Sequence, residues 1–375
     1  TTVINGAVLA QQPVAQLRDA GGNPVSTALV TVAVALSGSP AGVSLGGTTT
    51  AATNGSGTAT FTNLSLTGLV GTYTLDVSAS GLPPTTSRSI GLRAGAATAM
   101  ATAAGNSQSA TVNTLLPIAP SVLVTDQSGN LVSGTTVMFA VVTGGGSATG
   151  TTAVSGANGI ATVGGWTLGT IAGSNSLTAT AAGLVGSPLT FTATGTPARA
   201  SQLVITTSPS ATATNGAVLV QQPVLQLRDA FNNDVSQAGV SITATASTGA
   251  TLTGTSVLAT NAGGQASFTN LQLSGLVGNY TLGFASAGLT GATSGTIALA
   301  AGAPTQMTIT TQPSGAVVNG NVLGQQPVIQ LRDVGGNAVS SGGVNIVAAL
   351  TGSPAGVTLG GTTTVATAGT GASSF

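Results

Sequence analysis

Apolar residues alternate with polar or small ones along most of the chain, and a period of two predicts strands with one face buried. Val30, Val32, Val34 and Leu36 interleave with Thr31, Ala33 and Ala35, and the pattern returns at Val137, Phe139, Val141 and at Val240, Ile242, Ala244. No stretch shows the three-and-four spacing of a helical stripe. Comparing copies settles the facing of another strand: Ala15/Leu17, Val122/Val124, Leu225/Leu227 and Ile329/Leu331 stay apolar, whereas Gln16, Leu123, Gln226 and Gln330 do not. The first set is expected to point inward.

The strands repeat. Gln11-Gln12-Pro13-Val14 returns as Gln221-Gln222-Pro223-Val224 and Gln325-Gln326-Pro327-Val328, intervals of 210 and 104 residues, so the unit is about 105 residues long. A divergent copy fills the longer interval. Its turn, Asp126 to Asn130, answers Asp19 to Asn23, and Asp229 to Asn233 and Asp333 to Asn337 complete four copies. A second turn recurs at Thr53 to Gly57, Gly156 to Gly159 and Thr260 to Gly264, where Asn and Gly supply the positive φ of hairpin loops. Gly71-Thr72-Tyr73-Thr74-Leu75 is matched by Gly278 to Leu282 and more loosely by Gly173 to Leu177.

Roughly seven short, Thr-rich strands per unit, punctuated by regular turns, predict an all-β chain of sandwiches. The expected domains are 1–94, 95–197 (the divergent copy), 198–302 and 303–375. Linkers are expected at Leu92 to Ala96, Gly195 to Arg199 and Ala300 to Pro304. Joints this short favour sandwiches set end to end as a rod. Residues 1–61 align without gaps on residues 315–375. The last unit is therefore expected to lack its C-terminal strands, and the first the strand that Ser201 to Thr207 and Thr305 to Thr311 provide. The chain reads as a window of a longer repeat protein; completion of a unit by a strand from a neighbouring molecule is the alternative.

The Gln-Leu-Arg-Asp strand, the Gly22 to Val25 turn, Thr53 to Phe61 and Tyr73 to Leu75 together resemble the bacterial immunoglobulin-like domains of the invasin and intimin type. The resemblance spans essentially the whole chain and implies tandem immunoglobulin-like sandwiches. It says little of function, because such domains serve in adhesin stalks, filaments and phage structures alike. Tyr73 and Tyr280 stand where an immunoglobulin F strand has its Tyr, with Leu75 and Leu282 where antibody domains have Cys. Trp166 aligns with Leu64 and Leu271, so the antibody C-strand Trp is missing.

Composition narrows the chemistry. Charged residues are 3% of the chain, six Arg and six Asp, against about 25% in an ordinary domain. With no His, Lys, Glu or Cys, general acid–base catalysis, thiolate metal sites and disulfides have no residues to use, and no enzyme or cofactor is expected. A net charge of zero with no basic run offers nothing to a phosphate backbone, so no nucleic-acid partner is expected. No run of about 18 apolar residues occurs, so no membrane span is expected in these residues. The 56 glycines and 15 prolines stop short of the ~25–30% that marks disorder.

The candidate site residues are structural: Asp19, Asn23, Asp126, Asn130, Asp229, Asn233, Asp333 and Asn337. In Arg18-Asp19, Arg228-Asp229 and Arg332-Asp333, alternation puts the Asp on the inward face at a strand end, where its carboxylate can accept N–H groups of the next turn, while the Arg faces out. Calcium at Asp19 or Asp126 is the competing reading, but one carboxylate per turn is poor provision for a hard cation. Asn54, Asn63 and Asn279 head glycosylation triplets that a chain so rich in Ser and Thr produces by chance.

Outward Ala, Thr, Ser and Gly positions, with no Lys to guard sheet edges, are expected to let copies pack laterally or end to end. A bias toward uncharged secreted proteins would produce the same composition. The functional expectation is a secreted, non-enzymatic structural protein, the repeat shaft of a bacterial surface filament, fibre or sheath, with other copies of itself as partner. The alternative is the stalk of a cell-surface adhesin whose binding tip lies elsewhere. An enzyme or lectin is disfavoured by loops poor in ionisable and aromatic residues. The sequence singles out no host or surface ligand.

Overall fold

A computed structural model describes residues 1–352 and 354–375. Among these residues the chain forms strands and turns but no helix, and so none long and apolar enough to cross a membrane. It divides into two compact units, Thr1–Thr196 and Pro197–Phe375.

The first unit holds two sandwiches with separate cores. In the first, the sheet ordered Thr85–Thr86, Leu75–Ala79, Thr31–Leu36, Thr50–Ala52 buries Val32, Val34 and Leu75. They share one core with Phe61, Leu64, Leu66 and Ile90, of which Leu66 and Ile90 come from shorter sheets. The opening strand Thr2–Ile4 runs parallel to the closing strand Ile90–Arg93, pairing Val3 with Leu92. The second sandwich has a five-stranded sheet, Gln108–Thr111, Leu189–Thr196, Gly173–Thr180, Thr136–Thr143, Thr152–Val154. Its core gathers Trp166, Leu177 and the tilted pair Phe139 and Phe191, ring centroids 6.4 Å apart. Again the closing strand has a parallel neighbour, Gln108 opposite Ala193, although here the strand Ala99–Ala104 comes before it.

In the second unit, a sandwich beginning at Gln202–Thr207 repeats this plan around Leu225, Leu227, Ile242 and the pair Phe268 and Phe284. Thr212–Thr214 lies parallel to Ile297–Ala300. Among the described residues, the sandwich after it has five strands and a small core of Leu331, Val339 and Ile346.

Three expectations need amendment. The strands are shorter and more numerous than seven per copy, because bulges such as those at Thr102/Ala104 and Ile205/Thr207 and positive-φ glycines break them. The linkers begin later than expected: Leu92, Gly195 and Ala300 belong to closing strands, whose parallel pairing runs to Arg93, Thr196 and Ala300. Gln226 is buried although its neighbours Leu225 and Leu227 take the inward face. Its Nε2 reaches beneath the second turn to donate to the carbonyls of Leu227, Val235 and Gly263.

Candidate functional site at the joints between sandwiches

Each Asp turn is closed by its own backbone and then by its carboxylate. Asp126 N donates to Asn130 O at 2.9 Å and Gly129 N to Asp126 O at 3.0 Å. Asp126 Oδ1 accepts the N–H groups of Ser128 and Asn130, both at 2.9 Å. Gly129, φ +83°, supplies the left-handed step. Asp333 does the same for Gly335 and Asn337, and Asp229 for Phe231 and Asn233. Asp19 Oδ1 accepts Asn23 N at 2.8 Å. In three of the turns the Arg before the Asp straddles the turn from outside: Arg18 donates to Gly22 O and Arg332 to Gly336 O, while Arg228 pairs with Asp234 at 2.8 Å; Thr125 takes that place before Asp126.

The other carboxylate oxygen does something the turn does not require. Asp126 Oδ2 accepts Asn5 Nδ2 of the preceding sandwich and Gly95 N of the linker, each at 2.8 Å. Asn5 Nδ2 also donates to Ser128 Oγ, and Asn5 Oδ1 accepts Gly68 N at 2.9 Å. Asn130 completes the ring: its Nδ2 donates to Gly68 O and its Oδ1 accepts Val70 N, both at 2.8 Å. The joint is thus a closed set of hydrogen bonds between one sandwich's end loops and the next sandwich's first turn.

The second unit builds the same joint from its own copies. Asn215 Nδ2 donates to Asp333 Oδ2 at 2.7 Å, and Gly302 N to the same oxygen at 2.8 Å. Asn337 Nδ2 donates to Gly275 O, and its Oδ1 accepts Val277 N at 2.7 Å. Gly335 stands where Ser128 does, and a Cβ there would collide with Asn215 Nδ2 and Gly275 O. The loops are braced from behind. Tyr73 Oη donates to Leu69 O and Tyr280 Oη to Leu276 O, each 2.8 Å, one residue before the N–H that meets the joint Asn.

Burial opposes the charge on Asp126, but hydrogen bonds from Asn130, Gly95 and Asn5 outweigh it and hold the carboxyl down at about 2, below the ordinary 3.8. Asp333, fully buried, is also pushed well below the carboxylate range against its burial by Gly302, Asn215 and Asn337. Burial likewise works against Asp229, whose carboxyl Asn233 and Ala198 lower. Asp19 is lowered chiefly by Asn23, with Gly21 and Gly22 of its own turn, and it is exposed, unlike the inward position the alternation implies. Among the described residues nothing lies over its turn to bury it.

The structure therefore places all eight anticipated residues in their turns and adds partners that the turn argument did not supply: Asn5, Asn215, Gly68, Gly275, Gly95 and Gly302. A signal existed. Asn5-Gly6 recurs as Asn215-Gly216, and Gly68-Leu69-Val70-Gly71 as Gly275-Leu276-Val277-Gly278. Among the described residues no group of three or more His, Cys, Asp or Glu could hold a metal.

A family model described as SMCHD1 Ig-like domain 6 matches residues 1–87 and 195–296, half of the chain. Solved structures similar to this chain include the Escherichia coli adhesin FdeC, 18% identical with a TM-score of 0.39, the match covering 79% of this chain and 93% of that one. Bacterial invasin, described as an integrin-binding protein, is 16% identical with a TM-score of 0.35, covering 85% of this chain and 63% of invasin. Yersinia pseudotuberculosis InvD is 18% identical with a TM-score of 0.38, covering 77% of this chain and 92% of that one. No curated protein matches the sequence.

Proposed function

We propose that this chain, which belongs to the immunoglobulin-like domain family described as SMCHD1 Ig-like domain 6, is a non-enzymatic extracellular shaft that carries tension through sandwiches joined in series. The joint is the observation that carries this reading. Asp126 and Asp333 each spend one carboxylate oxygen on their own turn and the other on the sandwich before it. Single-molecule pulling on the full chain should give successive high-force unfolding steps. Extension without such steps would sink the proposal.

Lateral assembly into a filament or fibre is the finer reading, with other copies of the chain as partner. Its support is the outward face of the five-stranded sheet, where Ser174, Ser176, Thr178 and Thr180 run beside Thr190, Thr192, Thr194 and Thr196 with no charge on either strand. The stalk of a surface adhesin is the second reading, favoured by joints that link consecutive sandwiches and need no second copy. Sedimentation and electron microscopy at high concentration separate the two: ordered assemblies mark a filament, isolated chains a stalk.

A further inference from the structure

The chain contains Asn-Gly steps at Asn5, Asn54, Asn158, Asn215 and Asn319. A glycine after Asn leaves its backbone nitrogen unhindered, so that nitrogen can reach the Asn side-chain carbonyl carbon. Asn5, Asn215 and Asn319 occupy equivalent places in their repeats, yet their surroundings differ. At Asn5 the carboxamide is held by Asp126, Ser128 and Gly68, and Gly6 N donates to Leu66 O at 2.8 Å. At Asn215 the carboxamide is held by Asp333 and Gly275, and Gly216 N donates to Leu273 O at 3.0 Å. Asn319 is exposed, and among the described residues no hydrogen bond holds its side chain or the nitrogen of Gly320.

We propose that Asn5 and Asn215 are deamidation sites shielded by the closed joint, and that their conversion after a joint opens keeps it from closing again. In the reaction, the nitrogen of Gly6 forms a bond to Asn5 Cγ and the bond from Cγ to Nδ2 breaks. The proton lost from the glycine nitrogen passes through solvent to the leaving nitrogen, which departs as ammonia. Water then opens the cyclic imide, giving Asp or its β-linked isomer, with no change of oxidation state. The Asp product sets a carboxylate against Asp126 Oδ2, where a donor stood 2.8 Å away, and the β-linked isomer loses that donor and lengthens the backbone by one atom. Attraction becomes like-charge repulsion in a half-buried place. Two restraints block the chemistry: the sandwich's own bond from Gly6 N to Leu66 O ties down the attacking nitrogen, and the closed joint fixes the carboxamide against Asp126. Only the open fraction reacts.

The test is peptide mapping by mass spectrometry of the full chain held warm in mildly alkaline buffer. Asn319 should convert roughly tenfold or more faster than Asn5 and Asn215, the factor being set by how rarely the joints open. Asp126→Ala should raise the Asn5 rate toward that of Asn319 and leave Asn215 slow, which distinguishes joint opening from general unfolding. Equal rates at Asn5 and Asn319 in the intact chain, or an Asn5 rate indifferent to Asp126→Ala, would overturn the shielding. Independently, Asn5→Asp should abolish amide-exchange protection at Gly68 and Gly95, and retained protection there would overturn the block to reclosure.

Discussion

Asn5 Nδ2 and Asp126 Oδ2 lie 2.8 Å apart although 121 residues separate them in sequence. That contact makes two sandwiches answer to one carboxylate. Asp126 accepts from Ser128 N, Asn130 N, Asn130 Nδ2, Asn5 Nδ2 and Gly95 N. Asp126→Ala strands these donors in a buried place, and a cost of roughly 2–4 kcal/mol is expected. Asp19→Ala, at an exposed turn whose carboxylate bonds chiefly Asn23, should cost much less. Paired chemical denaturation curves check the contrast, and equal losses would mean that the joint contributes nothing beyond the turn.

Acid should open the joints. The Asp126 carboxyl falls from 3.8 to about 2 on folding, and Asp333 is lowered further. In acid the unfolded chain therefore binds more protons than the folded one. The stabilisation is complete above about pH 4 and is lost as pH falls through about 2, on the order of 2 kcal/mol for Asp126. With no His in the chain, stability should be level between weakly acid and neutral pH. Denaturation midpoints across that range read the profile, and Asp126→Ala should flatten its acid limb.

What the sequence made legible follows from what the packing forbids. Leu225 and Leu227 had to face inward, since a slip of one residue would expose both, and period-two reading finds such positions. Turn residues were equally plain, because Gly and Asn adopt the positive φ seen at Gly129 and Asn232 at least cost. The joint was harder to see. Asn5, at a loop end, belongs to no alternation, and its partner lies in another sandwich, so neither periodicity nor turn chemistry points from one to the other. Gln226 misled for a related reason: an outward position on a strand can still be roofed by a turn from elsewhere in the fold.

Tyr280 should matter through its hydroxyl as well as its ring. The ring lies in the core, while Oη holds Leu276 O and so fixes the loop whose next N–H, that of Val277, meets Asn337. Tyr280→Phe keeps the ring and removes one hydrogen bond, an expected loss of about 0.5–1.5 kcal/mol. Amide exchange at Val277 should quicken more than exchange in the strand Ser241–Ala246. If both change alike, the hydroxyl stabilises the sandwich generally and does not brace the joint.

Gly264 and Gly320 both have φ of +78°, yet alanine should affect them unequally. At Gly320 a Cβ would meet nothing within 4 Å, so Gly320→Ala pays only for the left-handed backbone, about 1 kcal/mol. At Gly264 the Cβ would also drive into the carbonyl oxygen of Val235, the same group that Gln226 Nε2 holds beneath the turn. Relief would require the second turn to lift off the strand Val224–Arg228, breaking the bond from Leu227 N to Gly264 O. Gly264→Ala is therefore expected to cost roughly 3 kcal/mol or more, strain and lost bonding together. Thermal denaturation of the two variants decides it: similar small losses would show that the turn yields easily and that Gln226 does not pin it.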